Sequence, residues 1–129
     1  MSRILVVDDD DDILDTIQLI LEIGGHDIKP LNNAETVFET IRDFRPDLVV
    51  LDVVLGKFDG RTICEQLRTH TETSHIPVLM MSGLYDMADI KEMHYPPDDF
   101  IPKPFKIDVL LEKIATLSRK KKADHYNIN

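Results

Sequence analysis

The chain has 129 residues, enough for one hydrophobic core and too few for two. Hydrophobic residues make up 43% and charged residues 30%, ordinary values for a globular unit, and no apolar run approaches the length that spans a bilayer. The net charge of −9 argues against direct nucleic-acid binding, which needs a basic face, and suits a cation or a basic protein partner.

Residues 3–8 form a continuous apolar run rich in β-branched side chains, a predicted first strand that stops on Asp8-Asp9. Met1-Ser2-Arg3 leads straight into it, so no secretory signal is expected and the expected compartment is the cytoplasm. From Asp11 the period changes. Ile13, Ile17, Ile20 and Leu21 predict a helix that stops at Gly24-Gly25, with acids crowding its first turn, where the helix dipole favours them. Residues 26–31 read as a second strand. Asn33 is expected to cap the next helix, with Val37, Phe38, Ile41 and Phe44 on its inner face and Pro46 just past its end.

Residues 47–52 are the predicted third strand, ending on Asp52 before a loop with Gly56 and Asp59-Gly60. A helix over 61–69 turns Ile63, Cys64 and Leu67 inward. Cys64 is the single cysteine, so no internal disulfide can form, and it reads as a small core residue. Residues 76–81 form the fourth strand, stopping on Ser82, and a short helix over 87–93 is expected before Pro96-Pro97. Residues 99–101 make a short fifth strand leading to Lys103-Pro104. The last helix spans 107–121, with Leu110, Leu111, Ile114 and Leu117 on one face. Arg119-Lys120-Lys121-Lys122 lies at its C-terminus, where the dipole favours cations.

Alternating strands and helices predict an α/β fold: flavodoxin-like (βα)5, a five-stranded parallel sheet of order 2-1-3-4-5 with helices on both faces. Ligands of such sheets bind beyond the carboxyl ends of the strands, where strand order reverses. That point brings together Asp8, Asp9 and Asp52, with Ser82 and Lys103 at neighbouring strand exits. Clustered carboxylates suit Mg²⁺, which takes oxygen ligands and keeps room for a phosphoryl oxygen. Asp52 is then a candidate nucleophile, since carboxylates form acyl phosphates, and Lys103 and Ser82 can neutralise and hydrogen-bond the transferred group. Singly, each piece has a plainer reading: a solvated acidic turn at 8–12, a loop-capping Asp52, a turn serine, a surface lysine. Four strand exits with mutually compatible chemistry outweigh those readings together. His26, His70, His75, His94 and His125 show no metal-ligand spacing.

These residues resemble the receiver domain of bacterial two-component response regulators, over about residues 3–120. Ile4-Leu5-Val6-Val7-Asp8-Asp9 is similar to the family's opening strand and acid pair, and Leu51-Asp52 with Asp59-Gly60 to its acceptor strand and loop. Ser82 falls at the Thr/Ser position, Lys103-Pro104-Phe105 matches the Lys-Pro-Phe signature, and Phe100 sits at the aromatic switch position. The resemblance implies a receiver domain at 1–122 with a polar tail at 123–129. It implies phosphoryl transfer to Asp52 from a phosphohistidine of a sensor histidine kinase or histidine phosphotransfer protein. Mg²⁺ would be held by Asp8, Asp9, Asp52 and the Val54 backbone carbonyl. Ser82 and Lys103 would bind the phosphoryl oxygens, and Ser82 and Phe100 would switch a protein-docking surface, Phe100 by swinging inward. A cis peptide before Pro104 is also implied. The downstream target carries no sequence signal, and such a unit either stands alone or belongs to a longer chain.

Several positions depart from the family pattern. Gly56 replaces the usual proline, which predicts a looser loop after Asp52, and Gly83 replaces the usual alanine. Pro96-Pro97 stands for the usual Gly-Ala, and the stretch from Ser82 to Lys103 is about one residue short. Phe100 lacks a hydroxyl, so a switch there works by packing. Val54 and Leu84 are apolar where polar groups would orient water, which predicts slow self-dephosphorylation. Two other functions are weighed against this one: a haloacid-dehalogenase-type phosphohydrolase using Asp8, which leaves Asp52 without a role, and a phosphorylation-independent binding module, which leaves the full acid, hydroxyl and lysine set without one.

Overall fold

Every residue of the runs at 48–52 and 78–82 is buried, which requires strands covered on both faces. In the computed structural model, which describes residues 2–126, the elements in chain order are β1 (Arg3–Val7), α1 (Asp11–Ile23), β2 (Asp27–Leu31), α2 (Val37–Phe44), β3 (Leu48–Asp52), β4 (Val54–Leu55), β5 (Phe58–Asp59), α3 (Gly60–Thr69), β6 (Val78–Ser82), α4 (Met87–Lys91), β7 (Asp99–Pro102) and α5 (Ile107–Tyr126). Five parallel strands form one sheet of order β2-β1-β3-β6-β7. This is the flavodoxin-like order 2-1-3-4-5 once the small β4–β5 hairpin is set aside.

Period-two alternation divides the core. Leu5, Val7, Val49, Leu51, Val78, Met80 and Phe100 face α2, α3 and α4, where Val37, Ile41, Ile63, Leu67 and Ile90 meet them. Ile4, Val6, Leu48, Val50, Leu79, Met81 and Ile101 face α1 and α5 through Leu14, Ile17, Leu21, Leu110, Ile114 and Leu117. Burial of Cys64 pushes its thiol up to about 11, so it stays protonated and packs as an apolar side chain. Pro30 is tolerated because β2 lies at the sheet edge.

Asp10 caps α1, accepting from the Asp12 and Ile13 N–H groups, with Asp11 and Asp12 in the first turn. Asn33 does not cap a helix. It accepts from Glu35 N–H in a local turn, and α2 starts later, after Thr36, without a side-chain cap. Phe38 and Leu111 stay more than a third exposed, at 36% and 38%, because α2 and α5 each bury a narrower stripe than their apolar residues suggest. The helix expected over 87–93 is shorter, Met87–Lys91, and starts on a capping box of Asp86 and Asp89. The last helix continues to Tyr126, past the end expected at 121, while residues 127–129 lie outside the described ones. Lys103–Pro104 is cis. Among the described residues no helix is long and apolar enough to cross a membrane.

Candidate functional site at the sheet switch point

The neighbouring registers of β1 and β3, Val7 beside Leu51, set Asp8 and Asp52 next to each other as both strands end. Asp8 is fully buried and Asp52 is 6% exposed. Asp8 accepts from Asp10 N–H at 2.9 Å through one oxygen and from Lys103 Nζ at 2.6 Å through the other. The same ammonium reaches Asp52 Oδ2 at 3.0 Å. Asp9 is exposed and accepts from Gly56 N–H at 3.1 Å. Carboxylate oxygens of Asp8, Asp9 and Asp52 lie within 4.8 Å of one another.

Burial raises the Asp52 pKa, the Lys103 hydrogen bond opposes that, and the charge of Asp8 raises it further. For Lys103, burial disfavours the charge, but its bonds to Asp8 and Asp52 outweigh burial and hold the ammonium above its ordinary value. One ammonium facing three carboxylates leaves an excess of negative charge. An all-oxygen donor set with that excess fits Mg²⁺.

Close packing holds Asp52 from behind. A Cβ on Gly60 would sit 2.1 Å from the Asp52 carbonyl oxygen and 2.9 Å from Val53 Cα, so only glycine fits where α3 begins. Gly60 N–H donates to the Val53 carbonyl at 2.6 Å, and Asp59 caps the helix. Val54–Leu55 and Phe58–Asp59 pair as a hairpin closed over Gly56-Lys57. Gly56 has φ +62°, the positive value wanted at the first central position of such a turn. The loop expected to be loose is therefore a hydrogen-bonded hairpin, tied to Asp9.

Ser82 ends β6, with its carbonyl accepting from Lys103 N–H at 2.8 Å. Its hydroxyl oxygen accepts from the Leu84 and Tyr85 N–H groups, both at 3.0 Å. Those two bonds occupy the oxygen's acceptor sites and leave its own proton for another group. Ser82 and Lys103 line one cavity with Tyr85 and Phe100. Phe100 lies inward, at 3% exposure in the cluster with Met80 and Ile90. Val54 is 39% exposed and Leu84 is 75% exposed. Neither presents a polar side chain.

Sequence reasoning missed Arg61 and Tyr85. The Arg61 guanidinium binds both Asp59 oxygens, lies 4.3 Å from the centroid of the Tyr85 ring and donates to its hydroxyl at 3.2 Å. A cation in the first turn of a helix opposes the dipole, and that anomaly was the available signal.

An acid cluster and a shared lysine at the switch point of a doubly wound sheet form a donor set suited to a cation and a phosphoryl group. The response regulator receiver domain family matches residues 4–115. RpaA of Synechocystis sp., a DNA-binding dual master transcriptional regulator, is 36% identical over 93% of this chain and 50% of its own length. The sensory transduction protein BceR of Halalkalibacterium halodurans is 35% identical over 93% of this chain and 51% of its own. Thus the chain spans about half the length of the curated relatives it matches. The crystal structure of a CheY-like receiver domain from Methanospirillum hungatei superposes with TM-score 0.86 at 26% identity, covering 96% of this chain and 98% of that one. The chain belongs to the response regulator receiver domain family.

Proposed function

We propose that Asp52 accepts a phosphoryl group from a phosphohistidine of a sensor histidine kinase or histidine phosphotransfer protein. A carboxylate oxygen of Asp52 attacks phosphorus, the phosphorus–nitrogen bond breaks, and the imidazole leaves as an acyl phosphate forms. The observation that carries this reading is the Lys103 ammonium shared between Asp8 and Asp52 at 2.6 and 3.0 Å. It places a positive charge beside the attacking oxygen, where charge builds on the transferred group. Ser82 donates its uncommitted proton to a second phosphoryl oxygen. Asp8, Asp9, Asp52 and the Val54 carbonyl would hold Mg²⁺, which supplies charge neutralisation when bound.

Engagement of Ser82 alters the turn after β6 and its packing with Phe100. The face built by α4, β7 and α5 then presents a different surface to a downstream protein. The net charge of −9 favours protein over nucleic acid as the direct partner of this unit, and a cytoplasmic setting fits a kinase donor. In this reading residues 1–122 form the receiver domain. The unit catalyses its own phosphoryl gain and, with Val54 and Leu84 unable to orient water, its own slow loss.

The test is incubation with acetyl phosphate and Mg²⁺, followed by mass mapping of the borohydride-trapped aspartate. The label is expected on Asp52 and absent from Asp52→Asn. Label on Asp8 would instead indicate a phosphohydrolase mechanism, and no label from any donor, kinase included, a phosphorylation-independent module.

A further inference from the structure

Arg61 stands where a helix least favours a cation, second in α3, with no acid in the first turn to offset it. Asp59, just before the helix, compensates with two prongs: Arg61 Nε lies 3.1 and 3.2 Å from its two oxygens and Nη2 lies 2.8 Å from Oδ2. This pairing holds the Asp59 carboxyl below the usual range, so the clamp persists at neutral pH. The guanidinium also covers the Tyr85 ring and hydrogen-bonds its hydroxyl. Tyr85 in turn donates its backbone N–H to Ser82 Oγ. At the other end, Gly60, between Asp59 and Arg61, rests against the Asp52 carbonyl. A continuous path therefore runs from the backbone of Asp52 to the hydroxyl of Ser82.

The turn after β6 has few other anchors. Gly83 contributes no side chain, and a Cβ there would meet only ordinary contacts. Leu84 is 75% exposed and holds nothing down. Tyr85 alone among residues 83–85 packs against the core cluster.

We propose that Arg61 is a positioning residue for phosphoryl acceptance. By gripping the Tyr85 side chain it holds the turn after β6 in the shape that keeps Ser82 Oγ doubly hydrogen-bonded and its proton free for the phosphoryl group. The inference rests on Asp52 as acceptor and Ser82 as phosphoryl ligand. Arg61 itself touches neither the acceptor side chain nor, in this role, the transferred group.

The experiment measures the rate at which the full chain gains a phosphoryl group from acetyl phosphate with Mg²⁺, read by intact mass. Wild type failing to label at Asp52 would remove the underlying reading, independently of Arg61. With wild type labelled, Arg61→Ala and Tyr85→Ala are each expected to slow the reaction about three- to tenfold, the size of one weakened hydrogen bond. The double variant should be no slower than either single one, and Arg61→Lys, which keeps the charge without the planar fork, should recover only part. In a Ser82→Ala background, removing Arg61 should change nothing further, and the Mg²⁺ concentration for half-maximal rate should stay at the wild-type value. Arg61→Ala reacting at the wild-type rate, or slowing Ser82→Ala by the same factor as wild type, overturns the proposal. Should Arg61→Ala melt below the assay temperature, Tyr85→Ala carries the same comparison.

Discussion

The two ends of the sheet handle charge in opposite ways. At the amino-terminal ends of the strands Arg3 and Arg68 are each closed off by complementary partners. Arg3 pairs with Asp27 at 2.9 Å, donates to the Phe44 carbonyl and lies 4.2 Å from the Phe44 ring centroid. Arg68 pairs with Asp98 and donates to the Ile76 carbonyl at 2.7 Å, while Asp98 also accepts from Val78 N–H. At the carboxyl-terminal ends a single lysine faces three acids, two of them buried. The first arrangement is complete in itself. The second is left short of positive charge, and that shortage is what a divalent cation and a phosphoryl-transfer site can use. Arg3 and Arg68 are thus matched by their partners, whereas the three acids of the candidate site outnumber their lysine.

Substitutions at the two ends can break that comparison. Gly60→Ala is expected to have the largest effect, because a methyl group 2.1 Å from the Asp52 carbonyl oxygen forces the acceptor strand or α3 to move. A loss of about 3 kcal/mol in denaturant unfolding, with phosphorylation slowed as well, is the expected result. Lys103→Met comes next. It leaves Asp8 and Asp52 facing each other without their cation, at a cost of about 3 kcal/mol at neutral pH in the presence of a chelator. The Asp52 pKa is already raised, so the lysine-free site regains stability as pH falls and the carboxyl protonates, and also on adding Mg²⁺. A loss independent of both pH and Mg²⁺ would show that the charge shortage is not what the lysine relieves.

Arg68→Ala should cost about 2 kcal/mol while leaving the phosphorylation rate of the folded protein unchanged, since its partners lie at the amino-terminal ends of the strands. A slowed rate there would erase the distinction between the ends. Arg3→Ala should cost under about 1 kcal/mol, because that pair is 45% and 50% exposed. Val54→Asn should leave stability nearly untouched and change the lifetime of the phosphorylated form. An unaltered lifetime removes the argument that apolar residues at 54 and 84 slow self-dephosphorylation.

Strand identity and order were legible because buried parallel strands are nearly unbroken apolar runs, as 48–52 and 78–82 are. The acids at their ends were legible because strand exits in such sheets converge. The β4–β5 hairpin was not, since two-residue strands leave no periodicity to read. The partial exposure of Phe38 and Leu111 depends on how much of each helix its neighbours cover, which composition does not state.

The sequence by itself determined which residues could share the site, because alternation and strand ends are local properties of the chain. Only the tertiary structure decided that Lys103 bridges Asp8 and Asp52, that Gly60 must lack a side chain, and that Arg61 reaches Tyr85 across 24 positions. Those contacts join elements distant in sequence, and their distances are set by packing against the sheet, which no local pattern records.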